Sequence, residues 1–119
     1  MTTYPGKYNC YVHQGATFDK LITWKDENGS PINLTGWKAR MMMRATIDTV
    51  APFLTLTTEN GGITLGGVAG TISLLASAAA TGAIQAQQGV YDLEMVAPDN
   101  VTVTRLMEGL VILGREVTR

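Results

Sequence analysis

Apolar and polar residues alternate with a period of two over much of this chain. From Ala16 to Lys25, Phe18, Lys20, Ile22 and Trp24 fall on one side, and Asp19, Leu21, Thr23 and Lys25 on the other. Successive side chains of a strand point to opposite faces, so the pattern predicts a half-buried strand with Phe18, Ile22 and Trp24 inward. Lys20 shares that side near the start, where its stem packs and its amine reaches water. Asp26-Glu27-Asn28-Gly29 then ends the strand, because Asn and Gly tolerate positive φ. Pro31 has no N–H to donate, which excludes a central strand on the return. Leu34, the one large apolar residue between Ile32 and Trp37, is predicted to plug the core. Thr35-Gly36 bends the chain again. Trp37, Ala39, Met41 and Met43 share one face of the next strand. Lys38, Arg40, Met42 and Arg44 share the other, which is mostly cationic and therefore wet.

Short runs of the same kind fill the rest. Tyr8 to Val12 is a candidate first strand, and Ala45 to Pro52 reads as a connection. Phe53 to Thr58, with Leu54 and Leu56 on one face, Ile63 to Leu65 and Thr71 to Leu75 are further strands. Ser77 before Ala78-Ala79-Ala80 reads as an N-cap and a one- or two-turn helix, held by packing through Ile84. Val90 to Ala97 places Tyr91, Leu93 and Met95 opposite Asp92 and Glu94. Pro98-Asp99-Asn100 is a turn. Val101 to Leu113 is a strand of unclear phase, since Leu106, Leu110 and Ile112 share parity with Glu108. Gly109 is read there as a bulge that switches faces. The pattern predicts an all-β fold, an antiparallel β-sandwich of about eight strands with one short helical turn. A partly closed barrel is the alternative. The chain reads as a single domain over 1–119, with an N-terminal arm at 1–7 and a polar C-terminal tail at 115–119.

Composition narrows the function. The chain has 119 residues, 45% of them hydrophobic, enough for one core. Its net charge of −1 removes the electrostatic case for binding nucleic acid or an anionic membrane. Cys10 is the one cysteine, so no intrachain disulfide forms, which suits assembly in a cytoplasm. The N-terminus lacks a signal-peptide pattern, and no apolar run approaches the ~20 residues that span a bilayer.

Candidate chemistry is sparse. His13 and Cys10 lie three apart on a strand, hence on opposite faces, which argues against a Cys-His pair. One His and one Cys do not make a zinc site. Asp92 and Glu94 lie about 7 Å apart on one strand face, a spacing glycosidase carboxylates use, but a solvated outer face accounts for them. Asp26, Asn28 and Gly29 lack the further oxygen ligands of a calcium loop. Gly61-Gly62 and Gly66-Gly67 lack the Lys-Ser/Thr and helix of a phosphate loop. No catalytic centre, metal or cofactor is expected. In Met41-Met42-Met43, Met42 must point away from its neighbours. It either meets another subunit or is covered by a loop or the Ala-rich turn.

Three stretches carry a resemblance. They are Gln14-Gly15-Ala16-Thr17-Phe18, the run from Trp24 to Gly36 (WKDENGSPINLTG), and Gly89-Val90-Tyr91-Asp92-Leu93-Glu94 with Val103-Thr104-Arg105-Leu106-Met107-Glu108-Gly109. Together they resemble the small β-sandwich domains of tailed-phage tails and baseplates, such as the N-terminal domain of upper baseplate proteins and the immunoglobulin-like collar proteins. These motifs mark turns and core positions and name no catalytic residue. The resemblance implies a non-enzymatic structural or adaptor subunit of a virion, assembled in the host cytoplasm. Its expected partners are other virion structural proteins and copies of itself, in a homo-oligomer built through sheet edges, arm and tail. The residues expected at such interfaces are Tyr4, Arg40, Met42, Arg44, Arg115 and Arg119. A head decoration or connector protein is a variant of this reading. A receptor- or carbohydrate-binding module, using Tyr4, Tyr8 and Tyr11, is the alternative from a different class.

Overall fold

The computed structural model describes residues 6–118. The described residues form β1 (Gly6–Lys7), β2 (Cys10–His13), β3 (Phe18–Thr23), β4 (Lys38–Arg44), β5 (Leu54–Thr57), β6 (Ile63–Leu65), β7 (Thr71–Ala76), α1 (Ala78–Gly82), β8 (Gln88–Val96) and β9 (Val103–Gly114). The larger sheet has the order β1-β9-β8-β4-β5, with β2 also on β9, and the smaller has the order β3-β7-β6. The strand pairs are antiparallel except at one edge, where β1 and β2 run parallel to β9. Gly6 faces Met107 and Cys10 faces Val111, so β1 and β2 keep one register and are a single strand interrupted at Tyr8 and Asn9. Gly6 and Lys7 therefore belong to the sheet. They fall within the arm read over 1–7, of which residues 1–5 lie outside the described part.

The sandwich closes over a core read from period two. Val12, Ala39, Met41, Met43, Leu93, Met95 and Val111 from the larger sheet are buried with Phe18, Ile63, Ile72 and Leu74 from the smaller. The predicted phases of β3, β4 and β8 hold: Phe18, Ala39, Met41, Met43, Tyr91, Leu93 and Met95 are buried, and Ile22 is partly so. The boundaries differ. Pairing of β3 stops at Thr23, because the Trp24 N–H turns to the carbonyl of Gly70 (2.9 Å) and Lys25 makes a single bridge to Pro31. Trp37 precedes β4 and stands edge-on to Trp24, centroids 5.3 Å apart. Leu34 is the plug expected, 1% exposed, its N–H donating to the Gly67 carbonyl (2.8 Å).

The helical turn is pinned from both ends. Ser77 Oγ accepts the Ala80 N–H (3.1 Å), the predicted cap. Thr81 is fully buried and its hydroxyl donates to the Ala16 carbonyl (2.7 Å). The Gln14 side-chain amide donates to the carbonyl of Ile84 (2.7 Å), a buried residue.

β9 corrects one expectation. Met107, Val111 and Leu113 are buried, so odd positions point inward on both sides of Gly109, which switches nothing. The irregularity lies at Leu106: Leu93 pairs with Met107 but Glu94 with Arg105. Gly109 serves a close approach instead. A Cβ there would collide with the backbone carbonyl of Tyr8, and the buried Tyr91 hydroxyl donates to that same carbonyl (2.7 Å). Burial above all, then Cys10 and Tyr8 nearby, pushes the Tyr91 phenol well above its usual range. A tyrosine titrates near pH 10 in an unfolded chain. The folded state keeps this proton longer, so the group's stabilisation is full below about pH 10 and fades as pH rises beyond it. Tyr91→Phe is expected to cost about 1–2 kcal/mol at pH 7, because a buried acceptor loses its donor. Urea melts at pH 7 and pH 10.5 check it: the gap between the two proteins should narrow at the higher pH.

Candidate assembly interface

The outer face of the larger sheet gathers most of the chain's paired charge. Along β4 the outward residues are Lys38, Arg40, Met42 and Arg44. The β8 residues opposite them are Val96, Glu94, Asp92 and Val90. On the far side of β8, β9 presents Arg105, Glu108 and Leu110. A basic strand thus lies beside an acidic one. Arg40 Nε meets Glu94 Oε1 at 2.8 Å, with side chains 50% and 25% exposed. Arg105 is shared more loosely between Asp92 (3.6 Å) and Glu108 (3.8 Å). Exposed pairs of this kind contribute little stability, roughly 0–1 kcal/mol each.

Beside these charges lies a groove of about 650 Å³, lined by Met42, Val90 and Leu110 together with Arg44, Asp92, Glu94, Arg105 and Glu108. Arg44 is not a free cation. Its guanidinium donates to the carbonyls of Thr49 (3.0 Å) and Val50 and approaches the Met42 sulfur (3.1 Å). It thereby braces the 45–52 connection, whose Ile47 lines the groove and is 84% exposed. Met42 is half-buried beside this connection and far from the Ala-rich turn, which packs on Ala16.

Asp92 sits at the centre of the face. Burial, then Glu94, pushes its carboxyl above the usual value, against the pull of Arg105. A carboxyl raised in the folded state is stabilising when protonated, and that contribution is lost as pH climbs through its folded pKa. Asp92→Asn is therefore expected to keep or raise the thermal midpoint at pH 7 and to match the parent below about pH 4. A lower midpoint at pH 7 would show that the Arg105 pair dominates instead.

Of the residues expected at interfaces, Arg40, Met42 and Arg44 share this face. Arg115 does not join them. It is exposed and follows Gly114, which pairs with His13 at the end of the sheet opposite Arg40. The tail is tied there, the Glu116 N–H donating to Gln14 Oε1 (3.0 Å). Tyr4 and Arg119 lie outside the described residues. Arg105, Glu108 and Leu110 were missed by sequence reasoning, because the phase of β9 was obscured by the bulge at Leu106.

The remaining candidates have structural occupations. Cys10 is buried and its thiol is raised by that burial, which disfavours a reactive thiolate, while His13 points outward. Asp26 Oδ1 accepts the N–H groups of Asn28 (2.9 Å) and Ser30 (3.0 Å), a side-chain-stapled turn. Among the described residues no three His, Cys, Asp or Glu side chains are placed to hold a metal ion, and no helix is long and apolar enough to cross a membrane.

No family model matches this chain, and no curated protein does. Among solved structures it is similar to the extracellular domain of the voltage-gated sodium channel beta4 subunit, described as a parallel homodimer with a role in cell-cell adhesion. The identity is 13%, the match covers 98% of each chain, and the TM-score is 0.51. At that identity the likeness is one of fold, and the fold is an immunoglobulin-like β-sandwich.

Proposed function

We propose that this chain is a non-enzymatic structural or adaptor subunit of a tailed-phage virion, placed in the tail, baseplate or collar. It acts in several copies, bound to neighbouring virion proteins and to itself, after assembly in the host cytoplasm. The observation that supports this reading is where the motif residues sit. Asp26 staples the first turn, Leu34 plugs the core, and Gly89 and Gly109 sit where a side chain would strike backbone. The stretches that resemble phage tail domains are thus the ones that hold this sandwich together. The edges β3 and β6 of the smaller sheet and β5 of the larger each have one paired side among the described strands. Such edges can accept a strand from a partner.

Quantitative mass spectrometry of purified particles tests the proposal. The protein should be present at several copies per particle and stay bound through stringent washing. Its absence from particles would overturn the reading. A chain shortened to begin at Gly6 keeps every described strand, so its folding and incorporation measure the part played by residues 1–5.

One observation favours a second reading. Tyr8 and Tyr11 are each more than half exposed near the same sheet edge, as sugar-binding aromatics are. Saturable binding on a glycan array, lost in Tyr11→Ala, would support a receptor-binding module. A flat array would remove it.

A further inference from the structure

We infer that the outer face of the larger sheet is a self-complementary interface between two copies of this chain, joined about a two-fold axis along the seam between β4 and β8. This deepens the assembly reading by naming a surface for it, and relies on that reading only for its biological setting.

Charge order on two neighbouring strands carries the inference. The outward charges of β4 are all basic, Lys38, Arg40 and Arg44, and those of β8 are both acidic, Asp92 and Glu94. Register aligns Arg40 with Glu94 and Met42 with Asp92. A two-fold axis parallel to the strands, over the seam, lays β8 of one copy on β4 of the other and keeps each row facing itself. Glu94 then meets Arg40 of the second copy, and the pair already formed within each chain becomes a four-charge ring. Met42 faces Asp92 of the second copy and Val90 faces Arg44, so Met42 and Val90 lie diagonally in adjacent rows and form the apolar part. The exposed Ile47, on its braced loop at the rim, is covered. Aligned packing of twisted sheets at about 30° accommodates this arrangement. Arg44 is engaged by its loop carbonyls, so Arg40 and Lys38 supply the basic side.

The area suits a weak, reversible dimer. An axis over the β4–β8 seam overlaps four strands, β9, β8, β4 and β5, which at ~4.8 Å spacing and about seven residues of ~3.4 Å give a footprint of about 460 Å² per copy. Both copies together bury about 900 Å², in the range of weak, transient contacts. The charged ring sets register and orientation, and the apolar side chains beside it supply affinity, because buried ion pairs gain little net of their desolvation. The outer face of the smaller sheet offers no such match. Its Asp19, Leu21, Thr23, Thr71, Ser73, Leu75 and Thr64 include one acid and no base.

Sedimentation equilibrium of the full chain tests the interface, from micromolar to near-millimolar concentration. The parent should associate reversibly from a 12.8 kDa monomer to a dimer. Arg40→Glu makes the Arg40–Glu94 row all acidic and Glu94→Arg makes it all basic. Each alone should weaken self-association at least tenfold while keeping its fold by circular dichroism. Mixed one to one, the two variants should form a heterodimer at least as tight as the parent dimer, a result that pairing within one chain cannot produce. Met42→Asp, at the centre of the face, should weaken the dimer independently if either charge variant folds poorly. A parent that stays monomeric, a Met42→Asp that dimerises like the parent, or charge variants that dimerise alone or stay apart when mixed would overturn the inference. That failure leaves presence in the particle untouched. A particle lacking the protein, conversely, leaves the dimer measurement standing.

Discussion

Leu34→Ala is expected to lower the stability of this domain by about 3 kcal/mol, the usual cost of deleting a buried leucine side chain where the surroundings collapse only in part. Leu34 is a loop residue, yet it is among the most buried side chains of the molecule. The chain before it is fixed by Asp26 at the turn and by the Ile32 N–H donating to the Trp24 carbonyl (2.9 Å). The chain after it is fixed by the Trp37 N–H donating to the Leu34 carbonyl (3.0 Å). A backbone held on both sides cannot move in to fill the cavity, which places the cost above that of a mobile loop. Urea unfolding should show a lower midpoint with an unchanged slope, since the surface exposed on unfolding is the same. Ile32→Ala, which removes a residue only partly buried against the core, should cost clearly less. Equal effects would mean that Leu34 is not the plug.

Gly109→Val should be at least as damaging, by a different route. Its Cβ would strike the carbonyl oxygen and carbon of Tyr8, both backbone atoms that no rotamer change can move. The edge strand must shift away from β9, and the Tyr91 hydroxyl loses the same carbonyl. Overpacking costs about 1–3 kcal/mol and the stranded hydrogen bond about 1–2 more. A loss near 3 kcal/mol lowers the thermal midpoint by roughly 10 °C for a domain of this size. Hydrogen exchange should localise the damage, with the Tyr8 N–H, which donates to Glu108 (3.0 Å) in the parent, losing protection first. Gly29→Ala is the control. Gly29 also has positive φ, 82°, but a Cβ there meets nothing within 4 Å, so only the backbone penalty of about 1 kcal/mol remains.

These two positions mark what the sequence makes legible and what it hides. Leu34 can be read directly, as a lone apolar residue between two turn signals. So can the inward faces of β3, β4 and β8, because each has one wet side and alternates cleanly. The cap at Ser77 is equally local. Gly109 could not be read correctly, because its neighbour is Tyr8, a hundred residues away in a parallel pairing that leaves no local signature. Thr81 is hidden for the same reason, its partner being Ala16. The bulge at Leu106 shifted the phase of β9, and with it the outward residues Arg105, Glu108 and Leu110 were lost. Arg44 looked like a surface cation because its acceptors are loop carbonyls, which no side-chain pattern encodes.

The candidate site was half legible on the same grounds. The basic side of β4 and the acidic side of β8 are each visible in the sequence as alternation. Their adjacency in the sheet, and the order of charges that makes the face self-complementary, come from the register alone.

The most direct test of the account is imaging of purified particles by electron cryo-microscopy, with this sandwich fitted into the density. The account predicts that it occupies a fixed place in the tail, baseplate or collar, repeated in several symmetry-related copies. Particles whose density is fully explained by other proteins, with no position for this domain, would contradict it.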